Sequence, residues 1–248
     1  MAGTATGSAG AGALWHRADL VWHHAFAAAP LPPRWLVLGG GVLALLVVCS
    51  PRIWPVARTV VTIAHEGGHA VAALATGRRL SGVRVYRSTA GETASKGRAD
   101  GFGVVLTAVA GYLAPPLLGL GAAALLATGH VTGMLLLSLL FLAGLAVAIR
   151  NAYGMLAVLA AVVIVAAVCL YGTAEVQAGF GYVATWFLLL GGIRPVIELA
   201  RERRRGYGRR SDADQLARLT PVPGGAWVMI FGLVAVAALA LSARWLAG

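Results

Sequence analysis

Four apolar stretches from about residue 103 onward, at about 103–127, 133–149, 153–171 and 176–199, leave little choice of architecture. Each is far longer than the roughly ten residues of a membrane barrel strand, and long enough to cross hydrocarbon as a helix. Backbone facing lipid must satisfy its own hydrogen bonds, which a helix does within one segment. Further apolar runs at 35–50, about 54–76 and about 223–247 bring the expected number of spans to seven. Of the 248 residues, 59% are hydrophobic and only 12% charged, against about 25% charged in a soluble domain. The expected fold class is an all-α polytopic membrane protein with about six or seven transmembrane helices.

The net charge of +11 suggests nucleic acid at first sight. The basic residues, however, sit in short segments between apolar spans, where they set orientation and meet anionic lipid head groups. No nucleic-acid partner is expected; the lipid bilayer is. Arg-rich segments 77–102 and 200–222 and the turn at Arg150 fall on one side in a seven-span count, together with the amino terminus. The turns near 130 and 173 carry no Lys or Arg. The positive-inside rule then makes the amino terminus cytoplasmic and the carboxyl terminus external. Arg52 and Arg58 are the exception, basic residues on a connection that this count puts outside. Nearly every cation is Arg, with Lys96 the only lysine. With the Ala, Gly and Val excess, that points to a GC-rich bacterial genome and a bacterial plasma membrane.

Residues 1–13 are Gly/Ala/Ser/Thr-rich and read as disordered. Residues 14–28 place Trp15, Trp22 and Phe26 on one stripe, as an interfacial helix does. Residues 1–33 are therefore an amino-terminal appendage without a convincing secretory signal, and 34–248 a single membrane domain. Within it, 77–102 is polar, with Val83 and Val85 alternating with Arg84 and Tyr86 and Gly91 interrupting the run, which predicts a short β-hairpin. Pro115 and Pro116 predict a kink in their span. Cys49 and Cys169, both in apolar runs, read as small unpaired core residues.

The span at 54–76 carries His65-Glu66-Gly67-Gly68-His69. Residues four apart share a helix face, so His65 and His69 can offer two imidazoles to one metal ion. Glu66, one position on, suits a base acting on metal-activated water better than a further ligand. Three ionisable side chains within five residues at membrane depth are expensive unless they serve a function. Gly67 and Gly68 cost the helix roughly 1 kcal/mol each relative to Ala, which is tolerable where another backbone must come close.

A catalytic zinc site needs a third protein ligand, and the chain has only nine carboxylates to supply it. Asp19, Glu92 and Asp100 read as solvated, Glu175 lies on the wrong side, and Glu198 and Glu202 adjoin arginines. Asp212 and Asp214 remain, with Asp212 preferred and Asp214 second. Both compete with a capping role, because Ser211 followed three residues later by Asp214 is a helix N-terminal signature.

The membrane-embedded His-Glu-x-x-His helix, the Gly91-Glu92-Thr93 element in the following β-rich loop and a late aspartate together resemble the site-2 protease family of intramembrane zinc metalloproteases. The similarity is greatest to its M50B-like bacterial branch, carried by 65–70, 110–115, 150–154 and 211–220. That resemblance implies Zn²⁺ held by His65, His69 and Asp212, and Glu66 as the catalytic residue. It also implies a transmembrane protein or peptide as substrate. Such a substrate must unwind to be cut, and the 80–95 hairpin is expected to receive it as an added strand, with the 111–116 kink opening a water path. The chain departs from the better-known members in lacking an Asp-Gly before a late span. The alternative is a non-catalytic metal-binding membrane scaffold of the same fold. A midplane ion transporter would show inverted repeats, which the sequence lacks by eye. A bis-histidine haem is excluded because imidazoles four apart on one helix cannot take opposite faces of a haem.

Overall fold

The computed structural model describes residues 15–17, 19–88, 90–206 and 211–247, so the 1–13 stretch read as disordered lies outside the described residues. From Arg34 on, the described residues form eight helices and one hairpin: α1 (Arg34–Cys49), α2 (Trp54–Ala75), β1 (Arg79–Val85), β2 (Gly91–Lys96), α3 (Phe102–Ala127), α4 (Val131–Ala148), α5 (Ala152–Tyr171), α6 (Ala174–Arg204), α7 (Asp212–Leu219) and α8 (Gly224–Ala247). Five of them, α3 to α6 and α8, are long and apolar enough to cross a membrane.

The seven-span expectation requires correction at α1 and α2. They form a pair bent by 106° at a short break and count as at most one span, giving five or six. The break has a local cause. Ser50 precedes Pro51, and the proline ring pushes its neighbour out of the helical region, as the Ser50 ψ of 121° shows. Ser50 Oγ then accepts the Ile53 N–H at 3.2 Å, and Pro55 sits in the first turn of α2, where its missing N–H costs nothing.

Before the bend, α1 runs alongside α6 in the same direction. Val37 O accepts from Trp186 Nε1 at 3.1 Å, Gly40 packs on Val183, and Val48 O accepts from Arg194. After it, α2 turns across the bundle. Near its start, Trp54 Nε1 donates to Glu198 Oε1 at 3.1 Å and Arg58 pairs with Glu198 at 3.2 Å, towards the carboxyl end of α6. Thr76, just past its other end, packs against Gly103 at the start of α3. Both ends of α2 thus lie toward one end of the bundle, so Arg52 and Arg58 join the Arg-rich segments and cease to be an exception.

The placement of the segment before α1 changes with it. Ala29 N donates to Gly129 O at 2.9 Å, and Arg17 Nη1 to Leu170 O at 3.1 Å. The segment before α1 therefore lies at the end of the bundle with the turns near 130 and 173, opposite the hairpin. A count that takes α2 as a crossing puts this segment with the Arg-rich loops instead. Trp15, Trp22 and Phe26 are all exposed, as an interfacial stripe requires.

The hairpin is antiparallel, with Val83 opposite Thr93 and Val85 opposite Gly91; Gly91 opens β2 where an interruption was expected. Val83 and Val85 are fully buried. The far edge of β1 is closed by the α4–α5 connection. Arg150 N donates to Val83 O at 2.8 Å. Asn151 acts as a surrogate strand, its Nδ2 donating to Val85 O at 2.7 Å and its Oδ1 accepting from Val85 N at 3.2 Å. Helix α3 runs through Pro115 and Pro116 without a break, both rings buried. Cys169 is buried as expected, but Cys49 is exposed at the end of α1, so it is not a core residue.

Protease-protection of inserted tags tests this layout. Tags at the two termini should be accessible from one side of the membrane, and a tag in the 86–91 turn from the other. An amino-terminal tag that follows the hairpin tag would restore the seven-span count.

Candidate metal centre

The three candidate ligands converge. His65 Nε2 and His69 Nε2 stand 3.1 Å apart, and Asp212 Oδ2 lies 3.1 Å from the first and 3.3 Å from the second. A four-coordinate divalent ion with bonds of about 2.0–2.1 Å keeps its ligand atoms roughly 3.3 Å apart. The spacing and the donor set, two imidazoles and a carboxylate, therefore fit one metal ion.

Each donor is aimed by a different device. His69 Nδ1 lies 2.6 Å from Thr107 O. A carbonyl can only accept, so Nδ1 carries the proton and Nε2 is left with its lone pair toward the site. The His65 ring is set by packing: Tyr112 meets it edge-on with centroids 4.8 Å apart, and Tyr112 is itself stacked on Phe231 of α8 at 5.0 Å. Gly111 makes the arrangement possible, since a Cβ there would drive into both imidazoles.

Asp212 is the first residue of α7, and its neighbour anchors that helix. Asp214 Oδ2 accepts the Ser211 N–H at 3.2 Å and the Ser211 hydroxyl at 2.6 Å, and Asp214 Oδ1 pairs with Arg203 at the end of α6. The two roles that competed in the sequence fall to different residues: Asp214 caps and Asp212 points at the imidazoles. Burial works against a charge on Asp214, but hydrogen bonds from Ser211 and the Arg203 guanidinium outweigh it and hold the carboxyl below the usual carboxylate range.

Glu66 is buried and lies against β2. Its Oε2 accepts the Thr93 hydroxyl at 2.6 Å, and Gly91 packs on the carboxylate where a Cβ would collide with it. A cavity of about 760 Å³ takes in His65, Glu66, His69, Asp212 and Tyr112 and runs along β2 from Gly91 to Lys96. Its lining on α3 includes Val104, Thr107, Ala108 and Tyr112. Of the remaining carboxylates, Glu198 pairs with Arg58 and Arg194 and Glu92 with Arg84. Among the described residues, His65, His69 and Asp212 are the one group of three that comes together in this way.

A family model described as Peptidase M50B-like matches residues 38–242. The chain belongs to the Peptidase M50B-like family. No curated protein and no solved structure matches it. The match reaches from α1 to within a few residues of the carboxyl terminus and includes every group in the cluster.

Within this M50B-like chain, sequence reasoning overlooked three neighbours of the site. Thr107 acts through its backbone carbonyl, which leaves no side-chain signature. Tyr112 stood in a segment read for its prolines and for the family resemblance, with no role given to its ring. Thr93 was noticed as part of Gly91-Glu92-Thr93, but its bond to Glu66 is tertiary.

Gly111→Val should abolish stoichiometric metal binding in the purified M50B-like protein while leaving its helical circular dichroism in place. Gly121→Ala, a position with open space around the Cβ, should leave both unchanged. Full metal retention in Gly111→Val would show that the imidazoles do not need that gap.

Proposed function

We propose that this protein is an intramembrane zinc endopeptidase that cleaves a membrane-embedded or membrane-proximal peptide bond of a transmembrane protein. The observation that carries the reading is the convergence of His65 Nε2, His69 Nε2 and Asp212 Oδ2 beside Glu66 in one cavity of a helical membrane domain. His65, His69 and Asp212 are the ligands, and 34–248 is the functional unit. Zinc held there supplies Lewis acidity and an acidified water.

The rest is done by the chain. Glu66 takes the proton of the attacking water and passes it to the leaving amine. The Thr93 hydroxyl, donating to Oε2, fixes the carboxylate and leaves Oε1 for the proton. Thr107 keeps His69 in one tautomer, and Tyr112 with Phe231 holds the His65 ring. A helical substrate hides its carbonyls in its own hydrogen bonds and must unwind to be cut. The free edge of β2 receives the unwound segment as an added strand, because β1 is already closed by Asn151. The basic helix ends favour the cytoplasmic side of a bacterial plasma membrane for the site, by the positive-inside rule.

Metal analysis and cleavage assays test this together. Protein purified without chelators should carry about one zinc per chain, lost in His69→Ala and in Asp212→Ala but kept in Asp214→Ala. Glu66→Gln should keep the zinc and cut a model transmembrane substrate roughly 10²–10⁴-fold more slowly. Thr93→Val should lower kcat with little change in zinc content. Wild-type protein without zinc, or a Glu66→Gln variant as active as wild type, would overturn the reading and leave a scaffold.

A further inference from the structure

Three cations line the cavity: Arg58, Arg78 and Lys96. Arg58 is neutralised by Glu198 at 3.2 Å. Lys96 is exposed, and on β2 it alternates with Thr93 and Ser95, so it lies on the outer face. Arg78 differs from both. It is half-buried, and its guanidinium is held by neutral acceptors alone: Nε donates to Ser95 Oγ at 3.2 Å and Nη1 to Arg98 O at 2.6 Å. Among the described residues, no carboxylate comes within ion-pair distance of it. A guanidinium has five N–H donors in a rigid fork, and two acceptors leave most of that fork unused. A half-buried charge without a counter-charge is unfavourable unless a ligand brings one.

The position of Arg78 says which ligand. Thr93 and Ser95 point to the same face of β2. Thr93 bonds to Glu66, so it marks where the peptide bond is attacked; Ser95 bonds to Arg78. The anchors of Arg78 and Glu66 on β2 are therefore about 7 Å apart, the span of two strand residues. A peptide paired with β2 moves at the same rise per residue. We propose that Arg78 is a specificity-determining residue, a carboxylate-binding subsite that selects substrates with Asp or Glu two residues from the scissile bond. This rests on the peptidase reading above. A lipid phosphate would satisfy the same fork, but Arg78 is tied to the hairpin by Ser95 and Arg98 and faces the peptide cavity, which favours the peptide.

The test uses the full chain carrying Glu66→Gln, in nanodiscs of phosphatidylcholine, with fluorescent peptides bearing Glu or Gln at each position within three residues of the cleavage point. At a position two residues from the cleavage point the Glu peptide should bind roughly tenfold more tightly than its Gln counterpart. The preference should vanish in Arg78→Gln, shrink in Arg78→Lys, and invert in favour of a Lys peptide in Arg78→Glu. No Glu preference at any position with Arg78 intact would overturn the proposal, and that comparison needs no variant at 78 to fold. A preference that survives Arg78→Gln would overturn it as well. If Arg78→Gln changes only the response to added phosphatidylglycerol, the fork binds a lipid head group and the proposal falls. Arg78-dependent binding by a chain whose Glu66 form cleaves nothing would sustain the subsite and sink the peptidase reading, so the two failures are separable.

Discussion

The close crossing of α2 over α3 is the constraint from which the rest follows. Helices in lipid gain little from apolar burial against one another and associate through tight packing and hydrogen bonds. Here the contact is made at Gly68, where a Cβ would meet Ala114 and the Ala110 carbonyl, and at Gly111, which lies under the imidazoles. Only at that separation does His69 reach the Thr107 carbonyl, which has a second lone pair to offer beyond its helical bond. The same approach brings Tyr112 against His65 and so links the site to Phe231 on α8.

The polar groups are arranged so that few are left without a partner in the low-dielectric interior, where an unpaired one is costly. Glu66 is met by Thr93, Asp214 by Ser211 and Arg203, and Glu198 by Arg58, Arg194 and Trp54. The last group ties the elbow after α1 to α6 and so sets the direction in which α2 leaves. The hairpin then closes the remaining side, with Asn151 occupying the edge of β1 and β2 left open along the cavity.

Much of this was legible in the chain. The apolar runs from residue 103 onward became helices within a few residues of their expected bounds, because a segment surrounded by lipid has no other way to satisfy its backbone. The alternation around Val83 and Val85 foretold the hairpin. The His65/His69 spacing put two imidazoles on one face, and Ser211 to Asp214 announced a helix start. The direction of α2 was not legible: hydropathy measures how apolar a segment is and carries no information on where it points. Counting it as a crossing put the segment before α1 at the other end of the bundle and made Arg52 and Arg58 look anomalous.

By itself the sequence determined the helical membrane fold, the pair of imidazoles and the carboxylate beside them, since each follows from local periodicity and the cost of bare backbone in lipid. It also narrowed the distant carboxylate to Asp212 and Asp214. Tertiary structure decided between their roles, because capping is settled by contacts within four residues whereas meeting His65 and His69 depends on where α7 docks. It also decided that Thr93, Thr107 and Tyr112 surround the site and that Arg78 faces the cavity without a counter-charge. Those relations join residues tens of positions apart, and only packing brings them within a few ångströms.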